Sequence, residues 1–434
     1  MLNADVINQL AAEALDLAYE LWPLNRSLVS KDTDFTINRI LSDFPITSRV
    51  HEFVSGSSVG DWIIPKGWNV KSARLSGPNG EKIADFSDCN LHLMSYSTSI
   101  NATISHQDLL DHIHYDKTKP NWIPYRTSYY KKDWGFCLSS TEMEKLVHEE
   151  YVVEIDSEFY DDSLKIGEIY LPGESENEVI FSTYVCHPSM ANNELSGPVV
   201  CRGLAKYISG LSDRHYSYRF LFMPETIGAI AYLSNFEKNL KAKTIAGFVV
   251  TCIGDNRTWG YVPSRNGITL ADKLLLRVLS KNKKEFIRYS FLERGSDERQ
   301  FCSPNANLPF ASITRSKYGT YPEYHTSGDD LTLLSNESLA ESIDFLIKIF
   351  EELEENRICK STKLGEPFFN KYDLRPDVGG KSSLSRTSKL LSDIVALADG
   401  SNDLIEIGRL VNEPIDLINE LAINLSEKGL IKFL

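Results

Sequence analysis

The sequence predicts an α/β protein in which a mainly parallel mixed sheet is flanked by helices, followed by a small C-terminal helical unit. Between residues 122 and 356, apolar strand-like runs alternate with helical patterns, which is typical of parallel sheets with crossover helices. Strands are expected near residues 179–185, 217–223, 246–253 and 308–314, and helices near 195–209, 226–238, 269–282 and 336–355. At 434 residues, the chain is long enough for two or three domains.

The N-terminal segment and a β-rich stretch precede this alternation. Ala11, Leu15, Ala18 and Leu21 recur at helical spacing, and a second helical stretch ends before Pro45. Short strand-like runs at 62–64 and around the turn SGPNG at 76–80 predict a small β-rich insertion. We therefore expect a main α/β domain from residues 1–54 and 119–362, with an inserted domain at 55–118.

The last part of the chain predicts a winged-helix domain at residues 386–434. An irregular linker rich in glycine and proline, 363–385, precedes short helices near 389–397, 403–410 and 414–428 and a final strand IKFL. Residues 389–434 contain four basic and eight acidic side chains. Since duplex-binding surfaces are basic, this domain is expected to contact a protein rather than DNA.

Composition excludes several classes of function. The net charge is −14 and the sequence pI about 5.2, which disfavours nucleic acid as a partner. The seven cysteines are scattered and form no CxxC pair, so neither a disulfide framework nor a cysteine zinc site is predicted. No long apolar run and no basic leader occur, so we expect a cytoplasmic protein without a membrane partner.

The segment FSTYVCHPSMANNELSG, at residues 181–197, places His187 where an expected strand ends. The carboxyl edge of a parallel sheet collects ligands, and neutral imidazole is the commonest metal ligand. Pro188 holds His187 in extended backbone outside the next helix. Asn193 and Glu194 bring oxygen atoms back towards the same edge, either as metal or substrate contacts or as helix caps.

Two further strands are followed by carboxylates. Glu225 comes after LFMP, at the start of an expected helix. It could act there as a general base, or it could be an ordinary first-turn carboxylate that the helix dipole stabilises. Asp255 follows GFVVTCIG, and a role in the loop turn is as plausible there as metal ligation.

Two charged segments complete the set of candidate residues. RGSDERQF contains Asp297, Glu298 and Arg299, and YPEYHTSGDD contains Glu323 and His325. The carboxylates could anchor the ammonium group of a substrate, or Arg299 could neutralise them in a structural role. His325 supplies a second imidazole at the same sheet edge, and two histidines with nearby carboxylates are the ingredients of a catalytic zinc site.

The motifs CHPSMANNELSG, PETIG, GSDERQF, YPEYHTS and IPYRTSYYKKDWGFC resemble those of bacterial aminopeptidase-like proteins of the zinc-dependent exopeptidase superfamily. The similar subgroup has an N-terminal β insertion and a C-terminal winged helix, and is often encoded among polysaccharide-biosynthesis genes. The resemblance implies a phosphorylase/hydrolase-like sheet, zinc, and removal of an N-terminal amino acid. By position, it implies zinc ligation by His187 and His325, a general base at Glu225, and a metal aspartate at Asp255.

The chain departs from that pattern at two places. Asn192 and Asn193 stand where an aspartate bridging two zinc ions is usual, and Thr226 stands where a second glutamate binds metal. We therefore expect one zinc ion held by His187, His325 and an oxygen of Asn193 or Glu194, with a two-zinc centre as the alternative.

Three functions follow from this reasoning. The first is zinc-dependent hydrolysis of a small peptide or amide, in which Glu225 takes a proton from water. The second is hydrolysis of an amide in an amino sugar or polysaccharide precursor. The third is a degenerate ligand-binding or regulatory protein that recruits a protein partner, or a second copy of itself, through the winged helix.

Overall fold

The computed structural model describes residues 4–374 and 386–434, which form two compact units, Met1–Ile347 and Lys348–Leu434. Part of the predicted linker, residues 375–385, lies outside the described residues. The helices are α1 (Ala4–Leu21), α2 (Lys31–Leu41), α3 (His106–Leu110), α4 (Ser140–Met143), α5 (Ser196–Ser209), α6 (Ile227–Lys243), α7 (Leu270–Lys281), α8 (Glu298–Phe301), α9 (Asn336–Glu355), α10 (Arg386–Leu397), α11 (Leu404–Val411) and α12 (Ile415–Glu427).

The strands of the first unit are β1 (Ser48–Val54), β2 (Ser58–Val59), β3 (Trp62–Ile63), β4 (Gly67–Ser76), β5 (Lys82–Asp85), β6 (Ile100–Ser105), β7 (Ile113–His114), β8 (Phe136–Cys137), β9 (Glu150–Tyr160), β10 (Ser163–Leu171), β11 (Glu178–Tyr184), β12 (Ser217–Met223), β13 (Thr244–Val250), β14 (Trp259–Val262), β15 (Phe286–Arg288) and β16 (Phe310–Thr314). Those of the second unit are β17 (Ile358–Ser361), β18 (Asp399–Asp403) and β19 (Ile431–Phe433).

The main sheet confirms the predicted fold class. Its strand order is β1-β10-β12-β11-β13-β16-β14-β15, and β12, β11, β13 and β16 are parallel to their neighbours within this central group. After β11, the next strand along the chain, β12, lies on one side of it. After β13, the next strand, β14, lies on the other side, beyond β16. The crevice between the carboxyl ends of β11 and β13 is therefore a topological switch point, where open α/β sheets bind ligands.

Stacked aromatic rings hold the centre of the sheet together. Phe181 on β11 stacks against Phe220 on β12 and Phe248 on β13, with ring centroids 5.2 Å apart in both pairs. All three rings are fully buried. Offset-stacked pairs of this kind contribute about 0.5–1.5 kcal/mol each beyond the burial of their area, so they fix the relative positions of the three strands.

A separate antiparallel sheet has the order β5-β4-β9-β6. The predicted turn at 76–80 joins β4 to β5, which pair as expected. The sheet also includes β9, Glu150–Tyr160, beyond the range 55–118 expected for the insertion. A short hairpin, β2–β3, precedes this sheet in the sequence and carries Trp62.

The N-terminal helix differs slightly from its predicted pattern. Its buried face is formed by Leu10, Ala11, Ala14, Leu17, Ala18 and Leu21, whereas Leu15 is only half-buried. The second unit contains the three expected helices and the final strand, and it adds β17 and β18 in an antiparallel sheet with β19. Within residues 4–374 and 386–434, every helix is too short or too polar to cross a lipid bilayer.

Replacing Phe181 with alanine is expected to destabilise the protein by about 3–5 kcal/mol, because the change leaves a cavity between two stacked rings. Urea unfolding followed by circular dichroism measures the loss. Ile46→Ala is the control, since Ile46 is 95% exposed and its removal should change stability by less than about 0.5 kcal/mol. Equal losses in the two variants would contradict this account of the core.

Candidate active site

The two predicted histidine ligands lie side by side at the switch point. His187 follows β11 and His325 follows β16, and their ring centroids are 5.2 Å apart. Tyr125 packs edge-on against both rings, at 5.3 Å from His187 and 5.2 Å from His325. The parallel strands thus bring together two imidazoles that are far apart in sequence.

His325 has the properties of a metal ligand. Its Nε2 is buried and has no hydrogen-bond partner in the described chain, while Tyr324 stacks on the ring at 4.0 Å. Burial, together with the charge of His187, lowers the pKa of His325 well below its ordinary value, so the ring is neutral. The backbone takes a left-handed φ of 54°, and Tyr125 N–H donates to the His325 carbonyl at 2.8 Å.

His187 is held from behind by Glu194. The Glu194 Oε2 atom lies 2.8 Å from His187 Nδ1 and accepts hydrogen bonds from the backbone N–H groups of Cys186 and His187. Burial opposes protonation of the imidazole, but the neighbouring Cys186 and Glu194 outweigh it and raise the pKa of His187 well above its usual range. Because Nδ1 is engaged, a metal ion could bind this ring only through Nε2, in place of the proton there.

The other oxygen of Glu194 pairs with Arg26. The Arg26 Nε atom donates to Oε1 at 2.6 Å, and both side chains are completely buried. Cys186, His187 and Glu194 also form a group whose ligand atoms lie within 4.8 Å of one another. However, burial raises the pKa of the Cys186 thiol, and Glu194 already has four protein donors. The structure therefore favours Glu194 as the support of His187.

The asparagines lie on a single π-helical turn, Ala191–Leu195, which Asp329 fixes. Asp329 accepts hydrogen bonds from the backbone N–H groups of Asn192 at 2.6 Å and Asn193 at 2.9 Å, and from the Tyr321 hydroxyl at 2.6 Å. Burial raises its pKa to about 6 in spite of these donors. Sequence reasoning missed this role, although Asp329 lies in the motif that contains His325.

The two asparagine side chains have different environments. Asn192 Oδ1 accepts from Gly254 N–H at 2.8 Å and Asp255 N–H at 3.1 Å, so this amide binds the loop after β13. Asn193 Oδ1 accepts from the Tyr184 hydroxyl at 3.0 Å, whereas its Nδ2 is buried without a partner. As placed, this unpartnered amide nitrogen is a hydrogen-bond donor, whereas the unpartnered nitrogen of a neutral His325 can present a lone pair.

Asp255 is occupied by protein donors, whereas Glu323 has a donor at Oε1 and keeps Oε2 buried without a partner. The Asp255 carboxylate accepts from the Arg257 backbone N–H at 2.9 Å, from Asn192 Nδ2 at 3.1 Å and from the Ser316 hydroxyl. Glu323 Oε1 accepts from Arg257 at 2.8 Å. Arg257 thus links both carboxylates, and the metal role of Asp255 and the substrate role of Glu323 stay predictions.

Glu225 lies directly after β12, as expected, and it is half-buried. Its Oε1 accepts a hydrogen bond from Ser296 Oγ at 2.8 Å. Burial raises the pKa of the carboxyl group, and the positive charge of His187 only partly offsets this effect. The next residue, Thr226, has a left-handed φ of 66°, and its N–H donates to Asp297 at 2.7 Å.

The three candidates of the segment RGSDERQF have separate surroundings. Glu298 is buried and accepts from Tyr318 at 2.6 Å and Ser312 at 2.9 Å, which indicates a structural role. Asp297 keeps one buried oxygen, Oδ2, without a partner, and burial followed by the charge of Glu225 raises its pKa well above its ordinary value. Arg299 donates to the Thr226 hydroxyl and lines a cavity beside Glu225.

Comparison with solved structures shows which fold this chain shares with known proteins. A zinc aminopeptidase from Bacillus subtilis superimposes with a TM-score of 0.58 at 14% identity, over 81% of this chain and 95% of that one, which shows a shared fold. A crystal structure from Clostridium acetobutylicum, provisionally named a peptidase, has a TM-score of 0.86 at 36% identity, over 99% of this chain and 98% of that one. The first unit therefore has the aminopeptidase-like fold that the motifs predicted.

Sequence comparison assigns the family. The chain matches DUF4910, a domain of unknown function, over residues 15–356, and a winged helix-turn-helix over residues 357–433. It is 38% identical over 401 residues to a Clostridium acetobutylicum protein provisionally named a polysaccharide biosynthesis protein with an aminopeptidase-like domain, covering 92% of this chain and 91% of that protein. The chain belongs to the DUF4910 family of aminopeptidase-like proteins and ends in a winged helix.

Replacing Arg26 with methionine is expected to destabilise the protein by about 3–5 kcal/mol, because it leaves the Glu194 carboxylate buried without its cation. Urea unfolding measures the change. The matched control is Arg39→Met, which removes an arginine from a half-exposed pair with Glu20 and should cost at most about 1 kcal/mol. A loss at Arg26 no larger than at Arg39 would refute the supporting role given to this pair.

Proposed function

We propose that this protein is a zinc-dependent hydrolase that cleaves an N-terminal amino acid from a peptide or related amide. The observation that carries the proposal is the neutral, buried His325, whose unpartnered Nε2 lies next to His187 at the topological switch point. Buried polar nitrogens without partners are rare, and metal ligation would satisfy this one. The aminopeptidase-like fold supports the same conclusion.

The donor set fits a single zinc ion. His187 and His325 would supply two nitrogen ligands, and Asn193 would supply an oxygen. A half-turn of the Asn193 amide lets Nδ2 donate to the Tyr184 hydroxyl and leaves Oδ1 in the unpartnered position, where it is free to bind metal. The hydroxyls of Tyr184 and Thr251 lie 2.6 Å apart, so Tyr184 can donate to Thr251 instead. Glu194 and Asp255 are engaged elsewhere and fit a second ion poorly.

When bound, a zinc ion would polarise the scissile carbonyl group and make water more acidic. The residues of the chain would carry the proton. Glu225 is close enough to His187 to respond to its charge, and its raised pKa suits a group that accepts a proton from water and returns it to the leaving amine. The Ser296 hydroxyl orients the carboxylate through Oε1. Asp297 lies behind this pair.

Metal analysis of the purified full-length protein tests the site independently of activity. We expect about one zinc per chain, and loss of the metal in His187→Ala and His325→Ala. His112→Ala is the matched control, because His112 stacks on Trp134 and donates from Nδ1 to the Trp134 carbonyl, remote from the candidate ligands in sequence. A protein without zinc, or a His325→Ala variant that retains it, would overturn the proposed centre.

Replacing Glu225 with glutamine is expected to lower kcat by roughly 10²- to 10⁴-fold, since glutamine cannot accept the proton. Aminoacyl reporter amides provide the assay. Zinc content and unfolding midpoint should stay at their wild-type values, which separates the loss of chemistry from the loss of metal or fold. Unchanged turnover in this variant would remove Glu225 from the mechanism.

A second candidate is hydrolysis of an amide in an amino sugar or polysaccharide precursor. The relative provisionally named for polysaccharide biosynthesis supports it, and so do the exposed aromatic rings of Trp62, Tyr129 and Tyr130 beside Glu225. A substrate screen distinguishes the two candidates. Turnover of aminoacyl amides without turnover of acylated amino sugars supports the peptidase, and the reverse result supports this alternative.

For the winged helix, we propose a protein partner rather than nucleic acid. Three of its five basic residues, Arg386, Lys389 and Arg409, pair with carboxylates of the same domain, at Glu413, Asp393 and Glu406. These pairs reduce the positive charge that a phosphate backbone requires. Salt-dependent binding of the full-length protein to duplex DNA would contradict this proposal.

A further inference from the structure

A cavity of about 340 Å³ opens beside the proposed general base. Five parts of the first unit form it: the loop between α1 and α2, the hairpin β2–β3, the segment that follows Tyr125, the start of helix α6 and helix α8. Its lining residues are Leu28, Trp62, Tyr129, Tyr130, Glu225, Thr226, Ile227 and Arg299. The volume is at the small end of the range for small-molecule sites, which suits a single amino acid side chain.

Arg299 contributes the cationic group of this lining. One guanidinium nitrogen donates to the Thr226 hydroxyl, while Nε is buried without a partner. Among residues 4–374 and 386–434, no carboxylate forms an ion pair with Arg299. A guanidinium presents its donors in a planar fork that matches a carboxylate, so Arg299 is suited to bind one in the cavity that it lines.

The neighbouring carboxylates accept hydrogen bonds from groups other than Arg299. Glu225 accepts from Ser296, Asp297 accepts from the Thr226 N–H, and Glu298 accepts from Tyr318 and Ser312, while Asp297 Oδ2 is buried without a partner. The Arg299 charge acts at longer range on Glu225 and Asp297, where it opposes the rise of both pKa values. Its side chain also lines the cavity, where it can meet a ligand.

Aromatic rings form the walls around this charge. Trp62, Tyr129 and Tyr130 are 40%, 42% and 53% exposed, although large aromatic side chains are usually buried to a greater extent. The Tyr130 hydroxyl donates to the Ile63 carbonyl at 2.6 Å, which holds its ring against the hairpin that carries Trp62. The walls can therefore pack on the methylene groups of a bound side chain while Arg299 meets its end.

We propose that this cavity receives the side chain of the substrate's N-terminal residue and that Arg299 selects a side chain ending in a carboxylate, such as glutamate. The inference rests on the proposed hydrolase function. A single carboxylate fits better than a phosphate, because Arg299 is the one cationic side chain among the residues lining the cavity. A doubly charged phosphate is usually bound by more than one cation or by a series of backbone N–H groups.

The test compares reporter amides of glutamate and glutamine, which have nearly the same shape and differ in charge. The zinc-loaded, full-length protein should hydrolyse the glutamyl amide with a kcat/KM roughly 10- to 100-fold higher, the range expected of a charge-assisted hydrogen bond. Arg299→Gln should abolish this preference, so that the ratio of the two kcat/KM values falls close to one. Arg299→Lys should restore part of it, since lysine keeps the charge and lacks the planar fork.

Arg294→Gln is the matched control, because Arg294 is exposed and lies in the same segment outside the cavity lining. This variant should keep the wild-type preference. A wild-type protein that cleaves both amides equally would overturn the acidic pocket while leaving the hydrolase intact. So would an Arg299→Gln variant that loses activity on both amides to the same extent.

Binding separates the pocket from the chemistry. Calorimetry with L-glutamate and L-glutamine should show tighter binding of glutamate, dependent on Arg299. If no amide is cleaved but this difference persists, the hydrolase proposal fails and the carboxylate pocket stands. If there is neither cleavage nor preferential glutamate binding, both proposals are rejected.

Discussion

The candidate site depends on one buried ion pair, Arg26 with Glu194. The two residues are 168 positions apart in the sequence, and both side chains are completely excluded from solvent. Removing two charges from water is costly, and the attraction offsets that cost only when the remaining polar atoms are also satisfied. Here, the second oxygen of Glu194 accepts from two backbone N–H groups and contacts the His187 ring, and Arg26 Nη1 donates to the Leu21 carbonyl, while Arg26 Nη2 is buried without a partner. The pair thereby fixes both the loop after β11 and the orientation of its imidazole.

Asp329 performs the corresponding task on the other side of the site. It lies four residues after His325, and it holds the π-helical turn that carries Asn192 and Asn193. Two carboxylates, Glu194 and Asp329, thus position the residues around the proposed site. This arrangement gives the asparagines a physical explanation. They lie on the turn whose backbone N–H groups Asp329 binds, so the Asn192 side chain is free to bind the loop after β13, and Asn193 keeps Nδ2 without a partner.

The fold was largely predictable, because its signals are local. The strands β11, β12, β13 and β16 are apolar runs bounded by turn residues, and the helices between them begin and end close to the expected positions. Strands β17 and β18 were not predicted. The sequence DGSND of β18 is polar and carries a glycine, so its strand conformation comes from pairing with β17 rather than from its own preference. Likewise, β9 joins the small sheet through pairing with β4 and β6.

The sequence by itself determined which residues reach the sheet edge. His187, Glu225, Asp255 and His325 follow strands or strand-like runs, and parallel strands end on a common side. Only the tertiary structure decided which candidate residues keep polar atoms without a hydrogen-bond partner. Glu194, Asp255 and Glu298 are used by protein donors, whereas His325 and Arg299 keep unpartnered nitrogens. The physical reason is that hydrogen-bond partners such as Arg26 and Ser316 come from distant parts of the chain, and no local pattern in the sequence specifies them.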